Sequence, residues 1–274
     1  MPKFLDCAQV RIIAGKEFRD RIRNLWVLSV ALIFSLFALA IAYFGTAQQG
    51  TVGFRGIDVT IASLVSLVIY LVPLIALILG YDAVVGERER GSMELLLSMP
   101  ITRSEILLGK YLGLSGALAV STLAGFGAGL LPMASQLSTA DVYHYAGFVL
   151  SAILMGMAFL SLSLLVSVLS TDRMRASGIA IALWFFFVLI FDLVLTGALV
   201  VSDGSLGSGV FGALLMLNPA DIFRLLNIFS SEQVQSMYGL ATVMPARLTD
   251  PAILTAIMCG WITAPFLIAR WRFK

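Results

Sequence analysis

Two groups of ionisable residues stand out in an otherwise apolar chain, and each suggests a kind of chemistry. One is a compact run, Glu87-Arg88-Glu89-Arg90 followed by Glu94, with Arg103 and Glu105 after a break at Pro100. Arg90 and Glu94 lie four apart, which sets opposite charges side by side on a helix. The run then turns apolar through Met93, Leu95, Leu96 and Leu97. A polar helix with an apolar tip suits insertion into a groove on a soluble partner, so its chemistry is recognition. The second group is a single residue, Asp192, the one carboxylate deep in the apolar stretch FFFVLIFDLVL. An ionisable group there is expensive; it lines a path, bonds across a helix contact or sits protonated.

Residues for bond-breaking chemistry are not assembled. Gly109-Lys110 is followed by Tyr111 and lacks the upstream glycine of a phosphate-binding loop, so ATP cannot be hydrolysed by that route. There is no nucleophile elbow and no HExxH, which argues against an intramembrane enzyme. Met155, Met157 and the Met258-Cys259 pair are soft ligands suited to Cu(I). Residues two apart on a helix point to different faces, however, so Met155 and Met157 form no ready pair, and ordinary packing is expected. His144, the only histidine, sits at the end of an apolar stretch and reads as interfacial. Cys7 and Cys259 lie at opposite ends of the chain, so no disulfide framework follows. No metal site, catalytic residue or bound cofactor is expected on this chain.

The elements that must position these groups are membrane helices. Of the 274 residues 59% are apolar and only 12% charged, half the charge density of a soluble domain. A net charge of +2 gives no reason to expect nucleic acid. Six stretches are long enough to cross hydrocarbon about 30 Å thick: 25–44, 58–81, 106–133, 143–169, 177–201 and 252–270. The second holds Pro73 and the sixth Pro265, both tolerable when neighbouring helices satisfy the freed carbonyl. Residues 1–23 alternate Lys3, Arg11, Lys16, Arg19, Arg21 and Arg23 with Leu5, Val10, Ile12, Ile13 and Phe18, as an amphipathic helix at a membrane surface does. No cleavable leader is evident, because the first apolar stretch is a full span.

Charge placement sets the orientation. Every basic residue except Arg55, Arg224 and Arg247 falls on the side of the N-terminus, the charged run, the 173–175 linker and the C-terminus. Basic residues stay inside, so both termini and the 83–104 loop are expected in the cytoplasm. Residues 202–250 then lie outside. Within them Asn218-Pro219-Ala220-Asp221 is a helix start, with proline early and an acid in the first turn. With Phe223, Arg224, Leu226 and Ile228 it predicts an interfacial helix or a docking face for an external partner. In the third stretch, Gly109-x-x-x-Gly113 and Gly125-x-x-x-Gly129 allow close helix approach, within one chain or across a dimer.

The motif GERERGSMELLLSMPITRSEILLGK, with Asp82 before it, resembles the cytoplasmic motif of ABC-2 type permeases, and the six-span plan extends that likeness over the whole chain. The resemblance implies an all-α membrane domain over 1–274 with a type V exporter-like fold. It makes 83–104 a coupling helix seated in a cleft of a separate ABC ATPase that carries the ATP and Mg. Glu87, Arg88, Glu89, Arg90, Glu94, Arg103 and Glu105 are then the expected ATPase contacts. The segments GYDAVVGERERG, STDRMRASGIAIALWFFFVLIFDLVL and LNPADIFRLLNI resemble one branch of that family more closely. That likeness implies a homodimer in the bacterial inner membrane with two ATPases below. It also implies a periplasmic protein above, touching Asn218, Pro219, Asp221, Phe223 and Arg224, and a role in building a copper–sulfur centre. Two rivals stay open: an exporter of a lipid, drug or glycan, and a non-transporting transducer.

Overall fold

Long apolar stretches can meet their backbone hydrogen bonds only internally, and the chain is accordingly helical. The computed structural model describes residues 6–44, 57–131, 138–202, 207–228 and 250–273, and no strand occurs among them. In order the helices are α1 (Cys7–Arg23), α2 (Trp26–Phe44), α3 (Ile57–Gly80), α4 (Val85–Glu89), α5 (Ser92–Ser98), α6 (Arg103–Leu130) and α7 (Thr139–Leu169). They continue with α8 (Arg173–Phe185), a π-helical turn (Phe186–Ile190), α9 (Phe191–Val201), α10 (Ser208–Leu215), α11 (Pro219–Ile228) and α12 (Pro251–Arg272).

Each of the six expected spans coincides with a helix: α2, α3, α6, α7, α8–α9 and α12. By length and apolarity alone, five helices among the described residues can each cross a membrane, and up to seven spans result if two bent pairs are counted. One pair is α1–α2, bent by 62°; the other, α10–α11, is bent by 114° and lies where an outer segment was expected. The first bend pivots at Leu25, whose φ of +54° is left-handed and costs a non-glycine residue about 1–2 kcal/mol.

Local chemistry starts the helices where the polar residues stand. Thr102 caps α6 by accepting from the Glu105 N–H, while Glu105 Oε2 accepts from the Thr102 N–H at 2.7 Å. Ser138 and Asp141 make the same reciprocal cap on α7. Asp172 caps α8, and Asp250 caps α12 ahead of Pro251.

Helix α6 is the axis of the bundle, and its two glycine pairs dock two helices of the same chain. A Cβ at Gly109 would meet Ile13, and one at Gly113 would lie 2.6 Å from the Ala14 carbonyl oxygen, so α1 lies flush on α6. Gly125 abuts Ala31 and Phe34, and Gly129 abuts Ala38, which brings α2 in behind. The choice left open by the spacing is thus settled within one chain. Four fully buried rings, Phe34, Phe126, Phe148 and Phe223, link α2, α6, α7 and α11, with centroids 4.9, 5.3 and 6.0 Å apart. Of the five helices long and apolar enough to cross a membrane, α8–α9 and α12 are the least enclosed.

Candidate functional site

The charged segment between α3 and α6 folds as two short helices, α4 and α5, turned at Gly91, whose φ of +72° is left-handed and suits glycine. A five-residue helix cannot hold its own angle, and α4 is fixed from behind by three sets of contacts. Ser167 of α7 accepts from the N–H groups of Val84 and Val85 with its hydroxyl oxygen, at 2.9 and 3.1 Å. Arg173 grips Asp82, its Nε 2.6 Å from Oδ1, and Glu89 accepts from the Arg173 backbone N–H. A side chain at Gly86 would collide with the Asp82 carboxylate.

The third set is ionic. Lys110 of α6, only 2% exposed, places its Nζ 2.7 Å from Glu87 Oε1 and 2.9 Å from Glu17 Oε1 of α1. Lys16 stands 3.6 Å from Glu17 and 3.9 Å from Glu87, so two carboxylates meet two ammonium groups. Burial pushes the Glu17 carboxyl up, but the charge and hydrogen bond of Lys110, with Lys16 and Arg21 nearby, hold it below its ordinary value of 4.5.

The expected contact residues therefore divide. Arg88, Glu89, Arg90, Glu94 and Arg103 are exposed, with Leu95 (68% exposed) and Met99 beside them. Arg88 also reaches back to the Ser170 carbonyl. Glu87 and Glu105 are corrected: both are buried, Glu87 against Lys110 and Glu105 between the N–H groups of Thr102 and Asp6. Met93 is likewise tucked into the core, leaving Leu95 and Met99 as the apolar part of the outer face.

A second cluster surrounds Asp192. The π-helical turn before it leaves the Phe187 carbonyl for an outside donor, and Asn218 Nδ2 fills that place at 2.8 Å. Asn218 also donates to Asp221, and Arg224 spans Asp221 (2.7 Å) and Asp192 (2.8 Å). Asn218, Asp221 and Arg224 recur every third residue on α11, which places them on one helical face. The reading of α11 as an outward docking face is corrected: Asn218, Pro219, Asp221 and Phe223 are all buried among α3, α7, α12 and the π-helical turn. Asn227 of the same helix donates to Ser151 of α7. The rest of the expected outer segment, residues 229–249 with Arg247, lies outside the described residues, as do Arg55, Lys3 and Lys274.

Sequence reasoning passed over Lys110 and Glu17 as partners, although the signal existed. Lys110 falls inside the third apolar stretch, where the rule that singled out Asp192 applies equally. Asp82–Arg173 and Ser167 carried no such signal, since their partners are about 80 to 90 residues away. Met155 and Met258 are fully buried as packing residues, while Cys7 and Cys259 are exposed free thiols. Among the described residues no three His, Cys, Asp or Glu side chains converge on a metal position.

The described residues form an all-helical bundle with several apolar helices of membrane-spanning length, and the chain belongs to the ABC-2 family of transporter proteins, whose model matches residues 11–274. It is 40% identical over 270 residues to the "Probable ABC transporter permease protein NosY" of Stutzerimonas stutzeri, covering 97% of this chain and 98% of that one. It is also 40% identical over 268 residues to the protein of the same name from Pseudomonas aeruginosa, covering 96% of each.

Proposed function

We propose that this chain is the permease subunit that couples a NosF-like ABC ATPase dimer to work across the bacterial inner membrane. In this reading it acts as a six-span homodimer with both termini cytoplasmic, the orientation favoured by its basic residues. ATP and Mg sit on the ATPase, and α4–α5 are the coupling helices. A NosD-like protein meets the opposite, periplasmic side, and the work serves maturation of the copper–sulfur centre of nitrous oxide reductase. The name carried by both relatives, at 40% identity along nearly the full chain, supports that assignment.

One observation carries the coupling role: α4 is anchored from behind to α6, α7 and α8 while the front of α4–α5 is bare and charged. A projection that bound nothing would not need Ser167, Arg173, Lys110 and Glu17 to fix its angle. The test is co-purification with the ATPase. Arg90→Glu with Arg103→Glu reverses two exposed charges without touching the anchors, and release of the ATPase is expected. Full stoichiometric retention would sink the coupling role.

A specific observation favours conformational work on a periplasmic partner over export of a lipid, drug or glycan. Helix α11 is wedged between α3, α7 and α12, and the Arg224–Asp192 ion pair ties it to α9. Tilting of the spans would then move α11 and whatever follows it. Purification with the outer protein, followed by ATPase assay, separates the readings: a two-permease, two-ATPase complex carrying that subunit supports the transducer.

A further inference from the structure

We infer that Lys110 is the positioning residue through which movement of the α4–α5 projection reaches α1, making the N-terminal helix a second output of the stroke beside the spans. The inference rests on the coupling reading above and deepens it.

The Lys110 side chain joins three elements distant in sequence. Its Nζ holds Glu87 of α4 and Glu17 of α1, and its own backbone belongs to α6. Glu87 Oε2 has no hydrogen-bond partner, so Oε1, 2.7 Å from Lys110, is that carboxylate's attachment to the bundle. Lys16 is more than half exposed and 3.9 Å away, too far to replace it. Apart from the Lys110–Glu17 pair and the bond from the Asp6 N–H to Glu105 at the start of α1, the α1–α6 contact is apolar and close, with Ile13 and Ala14 seated over Gly109 and Gly113. Smooth packing of that kind permits sliding along the groove, whereas a buried ion pair fixes register. A shift of α4 must carry Glu87 with it or leave its charge buried without a partner, and the group it pulls is Lys110. Glu17 and α1 follow for the same reason.

The opposing account is that the cluster merely holds the fold together. The two differ in what nucleotide does to α1, and Cys7 at its start is an exposed reporter. In a Cys259→Ala background, the complex with its ATPase is labelled by a maleimide with and without Mg-ATP. The expected result is a severalfold change in Cys7 labelling rate on adding nucleotide. Glu17→Gln and Lys110→Met should abolish that change while the ATPase still co-purifies, because the exposed contact residues are untouched. Lys110→Arg should restore part of it. Should Lys110→Met fail to fold, Glu17→Gln decides, since it leaves Lys110 paired with Glu87. An unaltered nucleotide response in Glu17→Gln, or no response in the parent complex, overturns the inference while leaving ATPase binding standing. A parent chain that never binds the ATPase removes the coupling reading and the inference together.

Discussion

The two ionic clusters, one of lysines and glutamates and the other of an arginine and two aspartates, are sealed to different degrees. Around Lys110 the charges balance and the ammonium is closed off from the surface. Around Arg224 two carboxylates share one guanidinium, and Asp192 and Arg224 remain 37% and 31% exposed in the single chain. Both unite helices far apart in sequence, but only the first is complete within the chain. A half-open ion pair on an apolar helix face is poorly suited to hydrocarbon, which charged groups avoid. It fits the proposed homodimer, in which a second copy or water would finish its surroundings. Closure within one chain makes a rigid connection; an unfinished edge makes a place where assembly matters.

Removing one charge from each cluster is the sharpest way to break that comparison. Lys110→Met leaves two buried carboxylates with only the half-exposed Lys16 beside them and should destabilise the chain by about 3–5 kcal/mol, read as a large drop in the detergent unfolding midpoint. Arg224→Met should lower it by less in the isolated chain, by about 1–3 kcal/mol, because the protein does not enclose Asp192. In the assembled complex that gap should narrow; an Arg224→Met effect as large as Lys110→Met in the monomer would contradict the difference in closure. Gly113→Leu drives a side chain into the Ala14 carbonyl and should cost about 1–3 kcal/mol through overpacking, with faster proteolysis within α1.

The smallest effect is in acid. Glu17 titrates below its ordinary value in the folded chain, so its stabilisation is present above pH 4.5 and fades as pH falls through the depressed folded value. Glu17→Gln should flatten that part of the stability profile. An unchanged acid limb would detach Glu17 from the cluster.

The expected elements were legible because each relied on a local signal. Apolar runs of span length marked α2, α3, α6, α7, α8–α9 and α12, and the Thr102–Glu105 spacing marked the start of α6. The site was legible only in part. Arg88, Arg90, Glu94 and Arg103 stand outside as their polarity suggests, whereas Glu87 and Glu105 look identical in sequence and are buried. Nothing within a few residues of Glu87 distinguishes it from Glu89; its burial depends on a lysine 23 positions later and a helix 70 positions earlier. Helix α11 misled for the same reason. Its amphipathic pattern is real, but both faces are buried, the polar one against the Phe187 carbonyl and Asp192.

What the amino-acid order alone determined was every feature with a short physical range: hydrophobic length, caps, the charged projection and the glycine pairs that permit close approach. Tertiary structure decided which charges meet, which helices the glycines receive, and that α11 is buried on both its faces. Those outcomes depend on pairing energies between groups tens of residues apart. In an apolar bundle a charge must find its counter-charge wherever the packing brings one.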